Sequence, residues 1–196
     1  MNIKRWVYFF IAGLLLSLAG VWGYKKMNIN AHFSVGQKMD SLNAVYVYYN
    51  GSVDNTIGRN TTKDGYNLGV KYQCVEFVKR YYYQHLKHKM PDSYGNAKDF
   101  FDKALSDGQK NHKRNLTQHT NPSYTKPKVD DLLIYNGTLL NKYGHVSIVS
   151  KVTDNEIEII QQNAGRYSKA RETFALVHKD GKWVIKNKRI MGWLRK

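Results

Sequence analysis

The chain has 196 residues, 42% hydrophobic and 23% charged, so it holds one ordinary domain with a normal core and is not wholesale disordered. One cysteine rules out an intramolecular disulfide and any CxxC or four-thiolate metal site, and no GxGxxG or GxxxxGK[ST] loop is present to cradle a nucleotide. Thirty-one Lys and Arg against 15 Asp and Glu give +16, which draws the chain to polyanions: a cell-wall polyanion, lipid headgroups or nucleic acid. The lysines are scattered rather than gathered on one helix, and no recognised nucleic-acid module occurs, so no specific nucleic acid is expected as a partner.

A basic tip carrying Lys4 and Arg5 precedes residues 6–24, which contain no charge, and Lys25 and Lys26 follow. Roughly 20 apolar residues span a bilayer, and Trp22 and Tyr24 suit an interfacial belt. Ser17-Leu18-Ala19 also offers the small residues that a signal peptidase reads. Residues 1–26 are therefore expected to be a signal anchor or signal peptide, 27–43 a linker and 44–196 an exported domain, membrane-anchored or secreted/periplasmic. Past residue 26 the chain keeps 27 basic against 15 acidic residues, +12.

Residues 44–49 alternate toward a strand with a turn at Asn50-Gly51, and 52–69 read as an irregular loop rich in Gly, Asn, Asp and Thr. From Cys74 to about Lys87 the spacing predicts a helix: Cys74, Phe77, Val78, Tyr81, Tyr82 and His85 make one apolar stripe, and Glu76 and Arg80 are four apart on the other face. A second helix is expected from an Asn96 cap, with Asp99 three residues on and Ala97, Phe100, Phe101, Ala104 and Leu105 as its buried face. Residues 109–128 read as a polar, basic surface loop. Strands are expected over 131–135, 143–152, 156–163, 173–179, 182–186 and 189–195, with Asp180-Gly181 a strong hairpin turn. Helices first and antiparallel strands afterwards argue an α+β fold.

Cys74 stands at a helix start, where free N–H groups and the helix dipole favour a thiolate, lower a thiol pKa and can bind an oxyanion. Gln73 beside it can add a side-chain donor. A cysteine nucleophile needs a base, and His145 is the best placed of seven histidines, after Gly144 at the start of a core-adjacent strand. The next strand ends Gln161-Gln162-Asn163. A three-residue loop over Thr153-Asp154-Asn155 pairs Val152 with Glu156 and sets His145 opposite Asn163, with Gln161 on the same face; a one-residue slip separates them. Either Asn163 or Gln161 is then the group that orients the ring.

Tyr72-Gln73-Cys74-Val75-Glu76-Phe77-Val78-Lys79-Arg80-Tyr81-Tyr82 resembles the nucleophile motif of CHAP domains, the cysteine, histidine-dependent amidohydrolases/peptidases of the papain-like clan, and most of all the amidase half of glutathionylspermidine synthetase/amidase. Gly95-Asn96-Ala97, Asp131-Leu132-Leu133-Ile134-Tyr135, Gly144-His145-Val146-Ser147-Ile148-Val149 and Met191-Gly192-Trp193-Leu194-Arg195 are similar to later elements of the family. The resemblance implies a papain-like fold, N-terminal helices packed on an antiparallel sheet, and amide hydrolysis through a thioester, with Cys74 attacking and His145 moving the proton. It implies no cofactor. Three departures stand out: Gln161 replaces a frequent glutamate, Asp130-Asp131 replaces Gly-Asp, and only Asp64 precedes the cysteine where some relatives hold calcium. The expected substrate is an amide in the peptides of peptidoglycan, met at an anionic wall or membrane surface. The alternatives are a small glutathionyl-polyamine amide and a non-catalytic binding module.

Overall fold

The computed structural model describes residues 3–139 and 141–196, less the side chain of Lys25; residues 1 and 2 of the basic tip and Leu140 lie outside the described residues. The N-terminal helix α1 (Ile3–Lys26) is apolar all round, and none of its Ile3–Tyr24 run is buried. That run is long and apolar enough to cross a membrane, as a signal sequence also is.

The domain is α+β. One helix, α2 (Cys74–Gln84), packs on an antiparallel sheet of eight strands in the order β11-β10-β9-β8-β7-β12-β6-β5. These are β5 (Lys110–Asn111), β6 (Leu116–Thr120), β7 (Leu132–Tyr135), β8 (His145–Val152), β9 (Glu156–Gln161), β10 (Arg171–Lys179), β11 (Lys182–Ile185) and β12 (Ile190–Arg195). The α2 stripe of Phe77, Val78, Tyr81 and Tyr82 meets Ile134, Val146, Ile148 and Ile160 on one sheet face. Trp193, Phe174, Ile159 and Leu176 form a second cluster on the other. The sheet curls until Ser123, just past β6, exchanges backbone hydrogen bonds with Trp183 of β11 at 3.0 and 2.7 Å. The central strands β7, β8 and β12 bury most of both faces, which explains why they read as continuous apolar runs.

Several segments differ from expectation. Residues 27–43 do not run free: β1 (Lys38–Leu42) pairs with β2 (Val45–Tyr48), and the Phe33 and Tyr49 rings lie 5.4 Å apart. The loop 52–69 contains a small hairpin of β3 (Arg59–Thr61) and β4 (Asn67–Val70). The second helix is a single 3-10 turn, Ala97–Phe100. Asp99 accepts the Asn96 N–H as expected at a cap, but the Gln118 side chain takes both the N–H and the C=O of Asp102. That occupies backbone groups that a continuing helix needs, so Ala104 and Leu105 fall outside it. The surface loop at 109–128 instead holds β5 and β6, the latter paired to β12. Its inward residues Gln118 and His119 are polar yet buried, so no apolar alternation marked the strand.

Candidate active site

The β8–β9 hairpin sets the histidine. It closes with Val152 opposite Ile157, one residue off the expected pairing, and a bulge at Ser150 restores the register so that Ser147 faces Gln161. The ladder stops there. Asn163 turns away in the left-handed region at φ 56. Gln161 is the residue that reaches the imidazole, with its Oε1 2.9 Å from His145 Nε2. The Gln161 amide nitrogen faces two acceptors, Lys169 O at 3.3 Å and a Glu172 carboxylate oxygen at 3.4 Å. Its oxygen alone is left for the ring, so His145 carries its proton on Nε2 and keeps Nδ1 as an acceptor. Gly144 lets the chain entering β8 lie close against the end of β7: at φ 78, a Cβ there would stand 2.5 Å from the Tyr135 carbonyl oxygen.

Cys74 is the first residue of α2, half-buried, and the N–H groups of Val75 and of Cys74 itself point at its sulfur. So does the N–H of Val146, the residue after His145. The first turn of α2 thus abuts the start of β8. Burial dominates the electrostatics of both groups. It pushes the Cys74 thiol up to about 11, against those three N–H groups, and His145 down to about 4, with Gln161 opposing and Arg189 adding to the depression. The lowering expected from the helix start is outweighed, so burial favours the thiol and the neutral imidazole.

Gln73 and Asn163 serve a different junction. The Gln73 amide nitrogen donates to the carbonyls of Val53 at 3.0 Å and Asn55 at 2.8 Å. Its oxygen accepts from Asn163 Nδ2 at 2.6 Å. Both Gln73 side-chain N–H groups are occupied, so the spare donor expected from it is not there; the backbone N–H groups of Cys74, Val75 and Val146 are the ones aimed at the sulfur. Gln162 donates to Gln73 O at 2.9 Å and to the buried Glu76 carboxylate at 3.0 Å. Glu76 is paired with Arg80 at 2.6 Å and accepts from Asn60. The end of β9 is thereby bolted to the first turn of α2.

Cys74, Gly144, Gln73 and Asn163 line an open cavity of about 640 Å³, walled also by Lys26, Arg59, Tyr94 and Tyr143. Glu172 and Gln162 were invisible to sequence reasoning: Glu172 reaches Gln161 only through the β9–β10 register, which sets it opposite Ile159.

The family model of the CHAP domain matches residues 63–163. Trypanothione synthetase of Crithidia fasciculata is 31% identical over 132 residues, 65% of this chain, and the matched part is 20% of that protein's length. The crystal structure of Ly7917 aligns with 64% of this chain and 53% of its own at 15% identity and a TM-score of 0.37.

Proposed function

Because the chain belongs to the CHAP domain family, we propose that it is a cysteine amidohydrolase in which Cys74 is the nucleophile, His145 the proton carrier and Gln161 the residue that positions the ring. The observation that carries this reading is the junction itself: a sulfur at a helix start, in contact with the amide next to a histidine whose Nε2 is already committed to Gln161.

The chemistry follows from the resting protonation. As the sulfur attacks the carbonyl carbon, its proton passes to His145 Nδ1, and the oxyanion is met by the N–H groups of Cys74 and Val75. The C–N bond then breaks and the amine leaves with the proton from His145. A water next gives a proton to Nδ1 and attacks the thioester. The C–S bond breaks, and the thiol regains its proton. Glu172 accepts from the Gln161 amide nitrogen and so helps keep the Gln161 oxygen turned to the ring. Asn163 and Gln73 hold the cavity loop at 53–55 rather than the ring.

The substrate class in this reading is an amide in the peptides of peptidoglycan, reached by a domain that α1 anchors to the membrane on its outer side. The +12 charge past residue 26 supports an anionic wall or membrane surface as the setting. The likeness to trypanothione synthetase favours a second reading, hydrolysis of a small peptide–polyamine amide. The full chain in detergent, mixed with wall fragments or with a glutathionyl-polyamine conjugate, separates the two by mass analysis of the products. New free amines from wall peptides, absent with Cys74→Ala, are the expected result. Cleavage of the conjugate alone moves the assignment to the second reading, and no cleavage of either overturns both.

A further inference from the structure

The end of α1 and the Cys74 cavity share a wall. Lys26, the last residue of α1, lines the cavity, and its Nζ donates to Asp54 O at 3.1 Å. Arg166, three residues past Asn163 and 9% exposed, closes the same junction. It donates to the carbonyls of Tyr24 and Met27 and, at 3.2 Å, to that of Gly51, and its guanidinium lies 4.3 Å from the Tyr24 ring centre. The helix is fastened to the loops that shape the cavity.

That fastening sets a depth. The apolar run ends at Tyr24, and Lys26 follows about 3 Å further along the helix axis. A headgroup layer is roughly 5–7 Å thick on each side of the hydrocarbon, so the Lys26 wall falls within it. A second observation concerns the surface around this junction. Ile29, Ile57, Tyr94, Leu139, Tyr143 and Tyr167 are 44% to 101% exposed, all on segments that frame the cavity or adjoin the α1 end. Besides Met27, the large apolar side chains exposed elsewhere in the described domain are Tyr46, Tyr124 and Val129. Exposed aromatic and aliphatic groups beside lysines, as where Lys142 lies 5.4 Å from the Tyr143 ring centre, are what a membrane interface selects.

Taking α1 as a membrane span, we propose that the cavity opens onto the bilayer surface and that the enzyme acts on amides carried by membrane-anchored anionic molecules. Lys26 and Arg59, which line the cavity and form no ion pair among the described residues, meet the anionic group. This narrows the substrate of the proposed amidase to one presented at the membrane.

The test uses the full chain in vesicles of phosphatidylcholine and phosphatidylglycerol. Fluorophores are placed at Thr56→Cys, on the cavity wall, or at Lys179→Cys, each in a Cys74→Ser background. Lys179 lies eight residues along β10 from Arg171, about 26 Å from the site end of that strand. Nitroxides on lipid headgroups should quench the Thr56 label at least threefold more than the Lys179 label; Tyr94→Cys, on another part of the wall, replaces Thr56→Cys if that variant fails to fold. Equal quenching overturns the orientation. In parallel, wild-type protein is given one fluorogenic amide on an anionic lipid anchor, on a neutral lipid anchor, or free in solution. The expected rates at equal bulk concentration fall in that order, the first and last differing at least tenfold. Equal rates overturn the substrate assignment and leave the amidase reading standing, whereas no cleavage on any carrier overturns the amidase reading and the assignment with it.

Discussion

His145 Nε2 and Gln161 Oε1 stand 2.9 Å apart, a diagonal contact across the β8–β9 ladder that fixes which ring nitrogen is free. In the proposed mechanism this contact holds the proton carrier in place. Gln161→Ala should therefore lower kcat about 100-fold with KM nearly unchanged, the lower end of what general acid–base catalysis supplies. Asn163→Ala, which loses a loop clamp rather than a ring contact, should cost no more than about tenfold. Gln161→Glu sets a carboxylate beside the ring, and the acid limb of kcat/KM should move up by at least about one pH unit. Steady-state kinetics against pH on the three variants decide it; equal losses in Gln161→Ala and Asn163→Ala would refute the assignment.

Cys74 titrates in a crowded place. With the thiol pushed up to about 11 by burial, alkylation of the free protein by iodoacetamide should still be accelerating between pH 8 and 10. A plateau already reached by pH 7 would show a preformed thiolate–imidazolium pair instead. Substrate should protect the thiol in either case.

Acid should destabilise the fold through His145. Its folded pKa of about 4 lies below the ordinary histidine value of 6.5. Between those two values the unfolded chain binds a proton that the native protein does not, so stability falls as pH drops from 6.5 to 4. The loss is on the order of 3 kcal/mol for this one group. Urea melts of wild type and His145→Gln across that window measure it, and the variant should lack this part of the slope.

Glu76 is buried with Arg80 and also receives Gln162 and Asn60. Glu76→Ala strands the guanidinium and should cost about 3–5 kcal/mol, the usual result of removing one partner of a buried pair. Gly144→Ala should cost at least about 2 kcal/mol, because a side chain at φ 78 is strained and its Cβ would collide with the Tyr135 carbonyl. Thermal unfolding followed by circular dichroism gives both numbers, and a change under 1 kcal/mol in either would contradict the packing described.

Local chemistry alone determined the uncharged N-terminal run, the α2 stripe behind Cys74 and the strands from 132 onward. Each is written in contiguous residues as a period, a turn dipeptide or a motif. Which polar residue holds His145 was decided by the bulge at Ser150 and by the chain leaving the sheet after Gln161, a matter of strand register. The buried polar strand β6, the truncated helix after Phe100 and the reach of Glu172 to Gln161 depend on partners far along the chain. Tertiary burial likewise opposes the helix start: the first turn favours a thiolate in water, but desolvation of the sulfur by the packed sheet pushes its pKa up.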